Sequence, residues 1–242
     1  MILIPGYNPG QFTLQGTNTY LLGTGKTRIL IDTGEVKEQY KMHLKQILDK
    51  EQCEISIVLI THHHFDHIGG ISQVLELCPN AKIYINLDHN LENDNLYPYN
   101  PLKDGQIFQV DNSTITAIFQ PGHFVDHFGF ISYQQDWFSG DCMLEVLLVS
   151  QKIKTIYPGH GYSIIEGAQE AIQNQIQHRK NREQQIYQAI NGQSVDEIIL
   201  IVYPNLNDAQ MRNIVKIAIE AHLIKLIDDN LFIFKDNLFY KC

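Results

Sequence analysis

The segment Thr61-His62-His63-His64-Phe65-Asp66-His67-Ile68-Gly69-Gly70 gathers four histidines and a carboxylate between positions 62 and 67. Imidazole and carboxylate are the ligand types favoured by zinc and similar divalent ions. His62 and His64 lie two apart, and Asp66 and His67 are adjacent, just where a helical pattern begins. Groups at that spacing cannot all point one way from a regular strand or helix. A loop can aim two of them at one ion and two at another. A chance surface cluster of histidines is the competing reading, and it is the weaker one here.

Three further candidates recur in one kind of place. His123 stands in Pro121-Gly122-His123, Asp141 in Gly140-Asp141, and His160 in Pro158-Gly159-His160-Gly161. Each lies just past the end of an apolar strand pattern, beside a glycine that lets the backbone turn sharply. Taken alone, either histidine reads better as a structural or surface residue, and Asp141 as a turn residue or helix N-cap. Their repeated placement reverses that preference. Ligands at successive strand ends meet along one rim of a layered β/α structure. We expect two metal sites sharing that rim, bridged by one carboxylate and one water.

The elements that must position these groups are legible as patterns. Thr19–Leu22 and Thr27–Asp32 read as strands split by Gly23-Thr24-Gly25, and Ile55–Ile60 reads as a strand covered on both faces. Lys82–Ile85, Ile107–Val110, Thr114–Phe119, Phe128–Ser132, Trp137–Ser139 and Thr155–Tyr157 supply the remaining strands. Glu38–Lys50 and Ile68–Leu77 read as helices, and Leu91–Asp104 as loop or broken helix. After Gly161 the character changes. Ala168–Ala189, Val195–Tyr203 and Asp208–Ala221 read as helices, and Leu231–Phe234 with Leu238–Tyr240 as a hairpin. That order suggests a small winged-helix-like module.

Composition sets outer bounds. The chain has 242 residues, 44% of them hydrophobic, enough for a substantial core. No apolar run is long enough to span a membrane. The formal net charge of −9 disfavours a broad nucleic-acid coat but leaves room for a nucleic-acid enzyme, because bound metal supplies local positive charge. The four cysteines form no CxxC pair or disulfide framework, as expected of a reducing compartment. The opening MILIPGYNPG reads as neither a secretion signal nor a transit peptide, which argues for an intracellular protein.

The pattern His-x-His-x-Asp-His, a downstream His, Gly-Asp and a final Gly-His resembles the metallo-β-lactamase superfamily over residues 1 to about 165. Within it, Asn8-Pro9-Gly10-x-Phe12-Thr13-Leu14-Gln15-Gly16-Thr17-Asn18-Thr19-Tyr20-Leu21 resembles the branch of β-lactamase-like protein 2, an endoribonuclease group allied to glyoxalase II. Ile29–Gly34, Gly140-Asp141-Cys142, Ile156–Gly161 and His178-Arg179 with Arg182–Ile186 carry the same likeness.

The resemblance implies an α/β fold: a four-layer αββα sandwich over residues 1–165, then a helical connector and winged-helix-like module over residues 166–242. It implies His62, His64 and His123 for one ion, Asp66, His67 and His160 for the other, and Asp141 as the bridge. Asp66 would also orient the attacking water, Asp32 would support the site from behind, and His63 would face away. The implied cofactor is a pair of divalent ions, expected to be zinc. The implied activity is cleavage of single-stranded RNA at phosphodiester bonds by a metal-bridging hydroxide. Arg179, Arg182 and His127 are candidates for substrate contact, against helix-to-core salt bridges for the arginines; for Asp126 and His127 the readings are support of a metal ligand, substrate contact or an ordinary surface role. The mitochondrial matrix is the compartment implied, with the cytoplasm as the alternative. Oligomeric state is left open, and no membrane or obligate protein partner is expected.

This chain departs from that pattern in three places, the first a short N-terminus in which the first core strand reads as clipped. Phe124 stands where a small hydroxyl residue is usual, and the stretch between Asp141 and Thr155 is short, with Leu144–Val149 as a helix remnant. The alternative activity is hydrolysis of a thioester or lactone, as in glyoxalase II, on the same two ions. A mononuclear iron oxygenase and a non-catalytic binding protein of the same fold are the remaining rivals.

Overall fold

Short apolar strands build two mixed sheets in the computed structural model, which describes residues 1–87, 97–142 and 152–242. The first sheet sets β1 (Ile2–Pro5), β2 (Asn18–Leu22), β3 (Thr27–Ile31), β4 (Glu54–Leu59), β5 (Lys82–Ile85) and β6 (Tyr99–Pro101) side by side in chain order. Its first three strands pair antiparallel and the rest parallel. The second sheet comprises β7 (Ile107–Val110), β8 (Ser113–Phe119), β9 (Phe128–Ser132), β10 (Asp136–Gly140) and β11 (Thr155–Pro158). All its pairings are antiparallel except that of β10 with β11.

Burial explains the layers. Helix α1 (Glu38–Glu51) turns Tyr40, Leu44 and Leu48 inward at helical spacing. They pack with Ile71 and Val74 of α3 (Ile71–Leu77) against Leu21, Leu30, Val58 and Ile83 of the first sheet. On the sheet's other face, Tyr20, Ile29, Ile31 and Leu59 meet Phe108, Ile115, Phe130 and Phe138 of the second sheet. Strand β4 therefore carries apolar residues on both faces, as its continuous apolar run implies. Tyr20 meets Phe138 edge-on at 5.2 Å, and Phe138 stacks on Tyr157 at 5.0 Å.

Three local expectations are corrected. The helix expected over Ile68–Leu77 is instead α2 (Phe65–Ile68) and α3, parted at Gly69-Gly70. Gly70 lies so close beneath Thr33 that a Cβ there would stand 2.1 Å from its carbonyl oxygen. Ile2–Pro5, not read as a strand, pairs with β2. Tyr99–Pro101, inside the expected loop Leu91–Asp104, adds a parallel strand to β5. The beginning of that loop and the expected helix remnant Leu144–Val149 lie outside the described residues.

The chain divides into two compact units, Met1–Gln173 and Asn174–Cys242, with the division inside α4 (Ala168–Ala189). The second unit has its own core of Ile186, Ile190, Ile198, Ile199, Ile219, Leu223, Leu226, Phe232 and Phe239. Helix α5 (Val195–Val202) opens with a capping box between Ser194 and Glu197. Helix α6 (Ala209–Asp228) runs past the expected end at Ala221. The hairpin β12 (Phe232–Lys235) and β13 (Leu238–Lys241) turns at Asp236-Asn237, both with positive φ, as a two-residue hairpin turn demands. No helix among the described residues is long and apolar enough to cross a membrane.

Candidate metal centre

The loops after β4, β8, β10 and β11 bring the expected donors together. His62, His64, His123 and Asp141 form one group, and Asp66, His67 and His160 another; within each group the ligand atoms lie within 4.8 Å of one another. Asp141 faces both groups. Its Oδ2 lies 3.5 Å from His123 Nε2, 3.2 Å from His160 Nε2 and 3.9 Å from His62 Nε2, while its Oδ1 lies 3.4 Å from His67 Nε2. Asp66 Oδ2 lies 3.3 Å from His67 Nε2 and 3.1 Å from His160 Nε2.

Hydrogen bonds behind the cluster fix which nitrogens face it. Asp32 Oδ1 accepts from the Thr61 backbone N–H at 2.8 Å, and its Oδ2 accepts from the Thr61 hydroxyl at 2.9 Å. With its proton given to Asp32, Thr61 Oγ1 accepts from His62 Nδ1 at 2.9 Å. His67 Nδ1 donates directly to Asp32 Oδ2 at 2.8 Å. Both imidazoles thus turn Nε2 toward the cluster. Those two atoms and Asp141 Oδ1 are buried without a hydrogen-bond partner. Orphaned buried polar atoms of metal-ligand type converging with carboxylates fit a metal cation, which would satisfy them together. Asp32 holds its place with a φ of 57° at the end of β3.

The backbone leaves room for these groups only where glycine stands. A Cβ at Gly159 would lie 2.3 Å from Asp141 Oδ1 and 2.8 Å from His67 Cε1. The turn that carries His160 is clamped from β2: Asn18 Nδ2 donates to the carbonyls of Pro158 and Gly161, and the Tyr20 hydroxyl donates to Pro158.

Charge is unevenly placed. Burial pushes the His62 imidazole well below its ordinary range and also lowers His64 and His123. Burial opposes the charges of Asp66 and Asp141, yet hydrogen bonds from His160 and His67 hold both carboxylates well below their usual range. Burial likewise opposes protonation of His67, but Asp32, Asp141 and Asp66 raise it well above the ordinary value. His160 is pushed up to about 9 by Asp141 and Asp66 against the effect of burial. Without metal, protons on His67 and His160 therefore balance the two carboxylates.

Other sequence candidates fall elsewhere. His127, considered for substrate contact, is completely enclosed, and its Nε2 accepts from the Asp141 backbone N–H at 3.3 Å. It positions Asp141 from behind, because the turn at Gly140 folds over it. Burial lowers His127 to about 3, keeping it neutral. His63 pairs with the buried Asp126. Phe124 meets His64 edge-on at 5.0 Å. In the second unit, Arg182 lies 4.2 Å over the ring of Tyr203, and Arg179 is exposed. Sequence reasoning assigned no chemistry to Thr61, Asn8 or Thr17. The latter two stood inside the Asn8–Leu21 signature, which was their only signal.

Two facing mixed sheets with a His/Asp metal-binding cluster on one rim define a metallo-hydrolase architecture, and the family model of the metallo-beta-lactamase superfamily matches residues 12–133. The chain belongs to that superfamily. It is 38% identical over 206 residues to the beta-lactamase-like protein 2 homolog of Caenorhabditis elegans, covering 77% of this chain and 70% of that protein. It is 33% identical over 215 residues to the atrochrysone carboxyl ACP thioesterase of Aspergillus fumigatus, covering 79% of this chain and 65% of that protein. A beta-lactamase domain protein from Burkholderia ambifaria shares the fold, with TM-score 0.79 and 19% identity, over 100% of this chain and 90% of that structure.

Proposed function

We propose that this chain is a two-cation endoribonuclease that hydrolyses phosphodiester bonds of single-stranded RNA, with zinc as the cation. The observation that carries the hydrolytic reading is Asp141, whose carboxylate lies 3.5 Å from His123 in one donor group and 3.4 and 3.2 Å from His67 and His160 in the other. His62, His64 and His123 would hold one cation, Asp66, His67 and His160 the other, and Asp141 both. Bound there, a cation pair supplies Lewis acidity and lowers the pKa of a water.

The chain's own residues do the rest. Asp66 orients the attacking water and takes its proton as the oxygen joins phosphorus, and that proton is returned to the ribose oxygen released as its bond to phosphorus breaks. His62 and His67, locked by Thr61 and Asp32, keep their lone pairs aimed inward through the reaction. The exposed rings of Phe65 and Phe124 beside His64 offer stacking surfaces for unpaired bases, which favours a single strand. The resemblance of the Asn8–Leu21 segment to an endoribonuclease branch supports the RNA substrate.

A second reading, thioester hydrolysis, is favoured by the apolar character of Phe65, Phe124 and Val125 and by the fungal thioesterase relative. Parallel assays on single-stranded RNA, duplex RNA and an acyl thioester separate the two. Cleavage of the single strand is expected, with Asp66→Ala slowing it about 10²–10⁴-fold while circular dichroism is unchanged. Thioester turnover with intact RNA would replace the first reading by the second.

A further inference from the structure

Behind Asp66 lies a hydrogen-bond relay whose direction is fixed by chemistry. Thr17 Oγ1 lies 3.0 Å from Asp66 Oδ2 and 3.0 Å from Asn8 Nδ2. The Thr17 backbone N–H donates to Asn8 Oδ1 at 2.8 Å, so the amide must turn its NH2 group toward the hydroxyl. The same Nδ2 donates to Glu35 Oε1 at 3.1 Å, and Glu35 is paired with Lys37. A hydroxyl has one proton to give. With a lone pair of Thr17 Oγ1 occupied by Asn8, that proton goes to Asp66 Oδ2.

The surroundings allow little alternative. Thr17 is completely buried and Asn8 nearly so. A Cβ on Gly6 would stand 2.9 Å from Asn8 Oδ1, and one on Gly16, 3.1 Å. The amide is therefore held on two sides by backbone that has no room to spare. Asp66 Oδ2 is also the oxygen nearest His67 Nε2 and His160 Nε2, hence the oxygen belonging to the donor set.

We propose that Thr17 is a positioning residue for the Asp66 carboxylate, and that Asn8 sets the polarity of the Thr17 hydroxyl. The relay holds the Asp66 carboxylate in one orientation, with Oδ2 toward His67 and His160, where a cation would be held, and the other oxygen left for the attacking water. This rests on the two-cation reading above. It adds that an amide outside the donor set, reached through one hydroxyl, determines how well the Asp66, His67 and His160 group binds.

The test exploits polarity rather than size. Asn8→Asp changes little in shape, but its second oxygen must accept the Thr17 proton, turning a hydroxyl lone pair toward Asp66. Thr17→Val removes the hydroxyl at nearly constant volume, and Thr17→Ser restores it. Zinc affinity is read by competition with a chromophoric chelator, alongside thermal melting of the metal-free proteins. Thr17→Val is expected to weaken the lower-affinity zinc step about 10–100-fold. Asn8→Asp should weaken it at least as much, and Thr17→Ser should recover most of the loss. Competition curves for Thr17→Val and Asn8→Asp that overlay the parent's would overturn the relay, as would losses that follow melting temperature alone, with Thr17→Ser as impaired as Thr17→Val. RNA turnover, read separately on the parent, tests the proposed activity, so failure of one is distinguishable from failure of the other.

Discussion

His67 and His123 are the same residue type in one cluster, yet they are held by opposite means. His67 is fully enclosed, donates to Asp32 and has its carbonyl bound by the Thr33 N–H and hydroxyl. His123 is exposed, with His64 Nδ1 3.1 Å away and Asp141 at 3.5 Å. The contrast extends to their groups. Asp66, His67 and His160 carry internal charge that protons balance, whereas His62, His64 and His123 are all lowered by desolvation of their ring nitrogens, the enclosed His62 most. A cation entering the first group must displace protons. One entering the second meets imidazoles without net charge and has only the His64–His123 hydrogen bond to displace. The two halves should therefore differ in stability, in tolerance of change and in pH dependence.

The largest effect sharpens the first difference. His67→Ala leaves the Asp32 carboxylate buried opposite a void and should cost the metal-free fold about 3–5 kcal/mol, whereas His123→Ala should stay within about 0.5 kcal/mol. Urea melts of chelated proteins measure both, and equal losses would dissolve the contrast. Next comes Gly159→Ala, whose methyl would press on Asp141 and His67 together. Turnover should fall about 100-fold, as expected of a misplacement near 1 Å, with less zinc retained after dialysis. Retained zinc at full turnover would mean that the close approach is slack.

The smallest effect is one of pH. His160, raised to about 9, is protonated at neutrality and must lose that proton to bind a cation. Zinc affinity of its group should climb about tenfold per pH unit for each proton released between about pH 7 and 9, then level off. The His62, His64 and His123 group should show no such slope there. Calorimetry in buffers of different ionisation heat measures the release, and His160→Gln should remove one proton from it. The sign is opposite for the metal-free fold. A raised imidazole stabilises it fully below about pH 6.5, and that contribution is lost as pH rises through about 9.

The donors were legible because four crowd into the segment after one strand and the other three each follow a strand beside a glycine, local patterns that sequence displays directly. The two sheets were legible for a similar reason: strands such as Ile107–Val110 and Phe128–Ser132 are bounded by turn residues. What escaped depends on distance in the chain. Asn8, Thr17 and Asp66 meet across nine and forty-nine positions. His127 is enclosed because Asp141, far along the chain, folds over it. Tyr99–Pro101 was missed because Pro and Asn suppress a strand signal that pairing with β5 overrides. Gly69-Gly70 broke a helix through close contact with Thr33, invisible in helical periodicity.

The most direct test of the proposed two-cation centre is native mass spectrometry of chelated protein titrated with zinc. Two zinc ions per chain are expected to enter in separate steps, and Asp141→Ala is expected to impair both. Saturation at a single ion, or an Asp141→Ala variant that loads two ions as the parent does, would contradict the account.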